Sequence, residues 1–180
     1  MSDRNTKAFF SFMVETYWQS IWTFIYTILG DADYARDLTQ DTFISAATSI
    51  NDLRDIESLK TWLFKIARNR SIDYLKSGWS TKVLSMEKDF HLTAEASSTW
   101  AQDAETDALS AIQRNELWAA IFRLKRGFRE VVVLRVREDL SFREIAGVLK
   151  IRETTARSRY ARSVKQLRTM LKGGGTDSGV

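Results

Sequence analysis

The chain has 180 residues, of which 44% are hydrophobic, and it carries a formal net charge of +4 with no cysteine and no proline. Without cysteine it can form neither a disulfide framework nor a thiolate metal site. No uninterrupted apolar run is long enough to span a membrane, and no signal peptide precedes the first amphipathic segment, so we expect a cytoplasmic protein. Helical periodicity dominates, which predicts an all-α fold.

The first predicted helix covers about Thr6 to Leu29, and its aromatic residues at helical spacing indicate core rather than a ligand site. Gly30 is well placed to end this helix in a left-handed conformation, and Asp31 or Asp33 can cap the next one. The second helix, about Asp33 to Ser49, is amphipathic. We predict that its inward side carries Leu38, Phe43, Ile44 and Ala47. We predict that its outward side carries Asp37, Gln40 and Asp41. The acidic face is either plain solvated surface or a docking face for a basic partner protein.

A polar loop at residues 51–57 precedes the third predicted helix, Ser58 to Lys76. Lys65, Arg68 and Asn69 share one face of this helix at spacings of three and four. Basic groups, an amide and nearby aromatic residues suit a melted or single-stranded nucleic acid. Composition alone favours the simpler interpretation, which is a solvated charged face.

The segment from Ser77 to about Ala108 is polar, rich in Ser, Thr and Ala, and net acidic, which predicts a flexible linker. It holds the only histidine, His91, for which we expect no catalytic role. Helical spacing then resumes from Leu109 to Leu124 through Ile112, Leu117, Ile121 and Leu124, and a further helix follows at residues 128–137. The last eight residues lack the pattern of a phosphate-binding loop and are expected to be a flexible tail.

Residues 140–167 predict a helix-turn-helix. Ser141 and Glu144 have the spacing of a capping box, and Ile145, Val148 and Leu149 repeat at helical spacing behind it. The pattern breaks at residues 150–152, and a longer basic helix begins at Glu153. Such a second helix lies in a major groove of DNA in this class of motif.

The distribution of charge supports a DNA-binding segment at the C-terminal end. Residues 109–172 hold 16 Lys and Arg against 6 Asp and Glu, a net charge of +10, whereas residues 1–108 carry −5. A charged helix face by itself is often mere surface. Concentration of positive charge in one segment, however, indicates a polyanionic ligand bound mainly there.

Three stretches resemble bacterial RNA polymerase sigma factors of the extracytoplasmic-function (ECF) group. ILGDADYARDLTQDTFISA (28–46) and SLKTWLFKIARNRSIDYLK (58–76) resemble sigma region 2, and REVVVLRVREDLSFREIAGVLKIRETTARSRYARSVKQLR (129–168) resembles region 4. The resemblance covers about two thirds of the chain. It implies two helical domains joined by a flexible linker: region 2 at residues 1–78, the linker at 79–108, region 4 at 109–172, and a tail at 173–180.

The resemblance also implies roles for individual residues. Those expected to bind the polymerase β′ clamp are Asp37, Gln40, Asp41 and Phe43. Those expected to bind the −10 promoter element, including a loop that takes up a flipped base, are Arg54, Asp55, Lys60, Trp62, Lys65, Arg68 and Asn69. Those expected to read the −35 element from the recognition helix are Thr154, Thr155, Arg157, Ser158, Arg159 and Arg162.

The implied partners are core RNA polymerase, through its β′ clamp and β flap, promoter DNA, and an anti-sigma factor that is possibly membrane-bound. No cofactor, metal, catalytic residue or small-molecule substrate is expected. The family usually has Pro, Gly and Ser where this chain has Lys125, Lys150 and Arg152. It more often has Gly and Val where this chain has Thr154 and Ala156.

Two other interpretations fit parts of the sequence. A stand-alone helix-turn-helix regulator would use residues 1–76 for sensing or dimerisation and would bind DNA without polymerase. A helical adaptor would use its basic face to bind an acidic protein. An enzyme is not expected, because the sequence has no metal cluster and no convergent acid–base pair.

Overall fold

The computed structural model describes residues 3–53, 55–77 and 108–173, and these residues form seven α-helices without a β-strand. The all-α prediction is therefore confirmed. The helices belong to two compact units, the first containing α1 to α3 and the second containing most of α4 to α7. Within the described ranges, no helix is both long enough and apolar enough to cross a membrane.

The helix bounds agree with the predicted elements to within a few residues. In chain order they are α1 (Asp3–Leu29), α2 (Ala32–Thr48), α3 (Leu59–Lys76), α4 (Ala108–Phe122), α5 (Arg126–Val136), α6 (Phe142–Leu149) and α7 (Glu153–Gly173). The predicted polar loop before α3 contains two short 3-10 turns, Ile50–Asp52 and Ile56–Ser58. Most of the predicted linker and tail, residues 78–107 and 174–180, lies outside the described residues, as does Arg54. Ala108, predicted as the last linker residue, begins α4, and Gly173, predicted as the first tail residue, ends α7.

In the first unit, α1 packs against both α2 and α3. The Phe24 ring meets the Phe64 ring edge to face at 5.2 Å between centroids, and Trp18 stacks on Phe43 at 5.8 Å. Two threonines, Thr23 and Thr27, are fully buried in α1. The Thr27 hydroxyl donates to the Thr23 carbonyl oxygen at 2.7 Å, which satisfies that polar group inside an apolar core.

The junction between α1 and α2 forms as the sequence predicts. Gly30 has a φ of 77°, and its N–H donates to the Tyr26 carbonyl at 2.8 Å, which closes a left-handed helix end. The Asp31 carboxylate then accepts from the backbone N–H groups of Asp33 and Tyr34 at 3.0 Å each. This cap pairs orphan donors at the start of α2 and fixes the direction in which that helix leaves.

In the second unit, α7 packs against α5 and α4. Val131, Val133 and Leu134 of α5 are buried, and so are Ala156 and Leu167 of α7. Arg129 is also buried, and its Nη1 donates to the Phe122 carbonyl at 2.8 Å, so its charge ties α5 to the end of α4. Lys125, which precedes α5, has a φ of −58°, the angle that proline would impose at this position.

One predicted inward position is wrong: Ile44 of α2 is 51% exposed. Its place in the helical repeat puts it on the same side of α2 as Asp37, Gln40 and Asp41, which were predicted to face outward. In the predicted helix at residues 109–124, the residues with helical spacing divide: Ile121 and Leu124 are buried, whereas Ile112 and Leu117 are exposed. Spacing shows which residues share a helix face, but whether a neighbouring helix covers that face depends on tertiary packing.

Candidate functional site

The helix-turn-helix in the second unit begins with a complete capping box. The Ser141 N–H donates to Glu144 Oε2 at 2.7 Å, and the Glu144 N–H donates to Ser141 Oγ at 3.3 Å. These reciprocal bonds start α6 at Phe142. The apolar stripe behind them is buried, with Ile145, Val148 and Leu149 all at 2% exposure or less, so the predicted motif is confirmed at its first helix.

The turn after α6 has a left-handed residue where the resemblance led us to expect glycine. Lys150 has a φ of 51°, which L side chains adopt at some cost in strain. The Ile151 N–H donates back to the Ala146 carbonyl at 3.1 Å, which is the long bond of a Schellman motif. The chain therefore makes the tight turn with an exposed lysine in the strained position.

The second helix, α7, has distinct inner and outer sides. Ala156 and Ser163 are fully buried, and Leu167 is 8% exposed. With 3.6 residues per turn, the exposed residues opposite them span roughly 140° of the helix circumference. Those exposed residues are Thr154, Arg157, Ser158, Ala161, Arg162 and Lys165, followed by Arg168 and Thr169 further along the helix. Four of the six predicted −35 residues therefore share one outward face: Thr154, Arg157, Ser158 and Arg162.

The other two predicted −35 residues, Thr155 and Arg159, are half-buried at the flank of that face. Arg159 Nη1 lies 3.1 Å from the point where a Cβ on Gly127 would stand, so its guanidinium packs closely over α5. Lys165 and Arg168 are exposed on α7 but were not among the predicted site residues. Their basic character and helical spacing were the available signals.

Arg157 is the most closely held cation of this face. Its Nη2 and Nε donate to the same Glu153 oxygen at 2.6 and 3.1 Å, and its guanidinium carbon lies 4.8 Å from the centre of the Phe142 ring. The side chain nevertheless keeps 61% of its surface exposed. Neither Glu153 nor Phe142 was among the predicted site residues, and Glu153 was identified only as the start of the second helix.

On α2, the predicted polymerase-binding residues do not all reach the surface. Asp37, Gln40 and Asp41 are exposed on one side of the helix. Phe43 is only 1% exposed and stacks on Trp18, so its side chain belongs to the core. Its neighbour Ile44 is exposed. It lies on the same side of α2 as the three polar residues, one turn after Gln40 and Asp41 and two turns after Asp37. The apolar member of this surface is therefore Ile44.

On α3, Lys65 and Asn69 are exposed, and Trp62, Arg68 and Lys60 are half-buried. Trp62, Lys65 and Asn69 lie on the side of the helix opposite the buried Leu63, Phe64 and Ala67, so they share one face. Arg68 lies at the edge of that face, one turn after the buried Phe64. Asp55 is exposed in the preceding loop, where its carboxylate accepts from the Glu57 N–H at 3.1 Å and caps the short 3-10 turn.

Arg70 lies off this α3 face and joins α3 to α2. Its Nη2 donates to Ser45 Oγ at 2.6 Å, so this guanidinium is engaged within the first unit. The contact fixes the orientation of α3 relative to the acidic α2 within that unit. The α3 face and the α2 face are therefore presented by one packed group of three helices.

The fold and these surfaces define a two-unit helical DNA-binding protein with a helix-turn-helix in its C-terminal half. The Sigma-70 region 2 family model matches residues 13–81, and the Sigma-70 region 4 model matches residues 114–167. Among curated relatives, the RNA polymerase sigma-H factor of Pseudomonas aeruginosa is 30% identical, with 89% of this chain and 84% of that protein covered. The ECF sigma factor SigW of Bacillus subtilis is 28% identical, covering 91% of this chain and 89% of that protein.

Solved structures share the fold. The sigma factor RpoE from Bartonella quintana, in a co-crystal with the anti-sigma factor NepR, superposes with a TM-score of 0.70 at 21% identity, covering 94% of this chain and 98% of that one. CnrH, in complex with the cytosolic domain of CnrY, gives a TM-score of 0.61 at 20% identity. The chain belongs to the sigma-70 family, as the resemblance implied, and it is an RNA polymerase sigma factor of the ECF type.

Proposed function

We propose that the chain directs core RNA polymerase to a particular set of promoters through three separate surfaces, one on α7, one on α3 with its preceding loop, and one on α2. In this proposal residues 1–78 bind polymerase and the −10 element, residues 79–108 connect the two domains, residues 109–172 bind the −35 element, and residues 173–180 are a tail. The observation that carries the proposal is the outward cationic face of α7 behind a complete capping box and turn.

The −35 element is read by the exposed face of α7. Arginine donates two parallel hydrogen bonds to guanine, and hydroxyl groups bond to several base edges, so Arg157, Arg162, Thr154 and Ser158 provide a base-reading set. Thr155 and Arg159, at the flank, contact the sugar–phosphate backbone and fix the register of the helix in the groove. The exposed Lys165 and Arg168 add phosphate contacts further along α7.

The −10 element is held by α3 and the loop before it. Lys65, Arg68 and Lys60 supply positive charge for phosphates, and Asn69 supplies both a donor and an acceptor for a base edge. Trp62 offers a flat ring for stacking an exposed base. Asp55 and Arg54 belong to the loop that takes up a flipped base. Unstacking a base costs a few kcal/mol, which contacts of this kind can offset.

The acidic face of α2 binds the β′ clamp of polymerase. Asp37, Gln40 and Asp41 supply the polar contacts, and Ile44 supplies an apolar centre that becomes buried on association. Phe43 contributes from inside, by holding α2 against Trp18 of α1. A charged rim around an apolar centre is the usual anatomy of a protein–protein interface.

The second unit also contacts the β flap, and an anti-sigma factor regulates the protein. The support for this last partner is that one structural neighbour, the sigma factor RpoE, is in complex with the anti-sigma factor NepR. The protein works as a non-catalytic subunit in the cytoplasm, where core polymerase and the chromosome lie.

The test is run-off transcription with purified core polymerase on a pool of bacterial promoters, with and without this protein. Specific transcripts that depend on the protein are expected. Arg162→Ala should then weaken use of the selected promoters by about 5- to 150-fold if the contact is a bidentate base contact worth about 1–3 kcal/mol. DNA binding by the protein alone, without any polymerase-dependent transcript, would contradict the proposal.

A further inference from the structure

Helix α7 contains one acidic residue among six cations. Its basic residues are Arg157, Arg159, Arg162, Lys165, Arg168 and Lys172, and its only carboxylate is Glu153. A negative charge on the surface that faces DNA repels phosphate. Glu153 in the first turn interacts favourably with the helix dipole, but an exposed ion pair at this spacing adds little stability. The contacts of the Glu153 carboxylate point to a further role for this residue.

Glu153 occupies one edge of the Arg157 guanidinium. One carboxylate oxygen accepts from both Nη2 and Nε, at 2.6 and 3.1 Å. A guanidinium has five N–H donors in a planar fork, so this arrangement leaves the edge formed by Nη1 and the second Nη2 hydrogen. That edge presents the two parallel donors that match O6 and N7 of guanine. The carboxylate therefore orients Arg157 without using its base-reading edge.

Phe142, the first residue of α6, holds Arg157 from another side. The Arg157 guanidinium carbon is 4.8 Å from the Phe142 ring centre, within the range of a cation–π contact. The ring is itself fixed, because it meets the Tyr160 ring of α7 at 5.6 Å and lies 5.4 Å from the Arg135 guanidinium. Arg135 is anchored in turn by the Leu140 carbonyl, which accepts from its Nη1 at 3.0 Å.

We infer that Glu153 and Phe142 are positioning residues that hold Arg157 in its base-reading conformation, and so determine how strongly the protein discriminates at one −35 base pair. The inference rests on the proposed role of α7 in the −35 major groove. An arginine side chain that is already held in place in the free protein loses less conformational entropy when it binds DNA. This smaller entropy cost favours binding only where a guanine accepts both donors. Preorganisation therefore increases discrimination more than it increases general affinity for DNA.

The experiment uses holoenzyme assembled from core polymerase and the full chain. A promoter found by run-off selection is compared with templates that carry single base changes at each −35 position, and the discrimination ratio is measured for each variant. Arg157→Ala identifies the base pair that this residue reads, as the position where discrimination is lost. Glu153→Gln and Phe142→Leu should each lower discrimination at that same position by about 2- to 10-fold, the value of immobilising one flexible side chain.

A double-mutant cycle separates positioning from a structural role. In the Arg157→Ala background, Glu153→Gln should produce no further loss of discrimination, because Glu153 acts through Arg157. Glu153→Asp retains the charge but shortens the reach, so it should lower discrimination as the glutamine variant does. Glu116→Gln, which removes an exposed carboxylate from α4 of the same unit, is the charge-matched control and should leave the ratio unchanged.

An unchanged ratio in Glu153→Gln, or an equal loss at every −35 position, would overturn the inference. So would a further loss of discrimination when Glu153→Gln is added to Arg157→Ala. These outcomes are distinct from failure of the proposed function, in which the wild-type protein itself supports no selective transcription. A wild-type protein that transcribes selectively but shows no coupling between Glu153 and Arg157 contradicts only the positioning role.

Discussion

At the scale of single residues, Lys150 shows how this chain keeps the motif with a lysine where the resemblance led us to expect glycine. Its φ of 51° is the conformation for which glycine carries no Cβ penalty. The turn still closes, since the Ile151 N–H bonds to the Ala146 carbonyl. The backbone strain at Lys150 is therefore offset by the packing of α6 and by this turn hydrogen bond. Replacing Lys150 with a residue that tolerates a positive φ should relieve the strain.

Lys150→Gly is expected to raise the free energy of unfolding by about 0.5–1 kcal/mol. The left-handed conformation costs a non-glycine residue roughly 1–2 kcal/mol, and the greater freedom of glycine in the unfolded chain returns part of that gain. Urea denaturation followed by circular dichroism measures the change. Lys150→Ala is the matched control, because it removes the charge but keeps the Cβ. A gain in both variants would attribute the effect to charge rather than to backbone strain.

Tyr74 provides a second prediction at this scale. Burial, together with the neighbouring Tyr34 whose ring lies 5.0 Å away, raises the pKa of the Tyr74 hydroxyl well above its ordinary value of 10.0. The folded protein then keeps this proton at a pH where the unfolded chain loses it. The contribution of Tyr74 to stability is fully present below pH 10.0 and declines as the pH rises above that value.

Tyr74→Phe removes this ionisation, so the stability of the wild type relative to the variant should fall as the pH rises from about 9 to 11. The measurement is a series of urea denaturations of both proteins across that range. Tyr17→Phe, at a half-buried site on α1, is the comparison for tyrosine ionisation in general. A pH-independent difference between wild type and Tyr74→Phe would show that Tyr74 titrates alike in the folded and unfolded states.

At the scale of elements, the capping box at α6 determines where the DNA-binding motif begins. Ser141→Ala should lower the free energy of unfolding by about 1 kcal/mol, since it leaves a helix N–H without its side-chain acceptor. Ser141→Thr retains the hydroxyl and should remain close to wild type. Chemical denaturation provides the comparison, and an alanine variant as stable as the threonine variant would mean that water satisfies the Glu144 N–H equally well.

The elements themselves could be predicted from the sequence because their signals are local. Gly30 with Asp31, and Ser141 with Glu144, act through hydrogen bonds within a few residues, and the structure contains both. The orientation of helix faces is a different matter. Phe43 and Ile44 are neighbouring apolar residues on α2, and Phe43 is buried against Trp18 of α1, whereas Ile44 is 51% exposed among polar residues.

The candidate site was predictable to a similar degree. The exposed cations of α7 follow from sequence spacing and from the family resemblance. The hold that Phe142 exerts on Arg157 joins two helices across the turn, so no spacing within one helix could indicate it. In the same way, Arg159 carries the charge expected of a DNA contact but packs over Gly127 of α5, a contact between residues 32 positions apart.

At the scale of the whole molecule, the separation of charge matches a division of labour. Residues 109–172 carry +10 and residues 1–108 carry −5, so the two halves favour partners of opposite character. A polyanion is attracted to the basic half, while the acidic face of α2 suits a basic protein surface. A single charge reversal in each half should therefore affect a different partner.

Asp41→Arg is expected to abolish association with core polymerase while the protein remains folded. Asp41 is exposed on α2, where reversal places a cation against the proposed β′ clamp surface, and like charges across an interface cost several kcal/mol. Co-purification with core polymerase measures binding, and circular dichroism verifies the fold. Glu15→Arg, an equally exposed reversal on α1, is the matched control and should bind normally. If Asp41→Arg co-purifies like the control, the clamp surface lies elsewhere in the first unit, and if both variants fail, net charge rather than the α2 face governs the association.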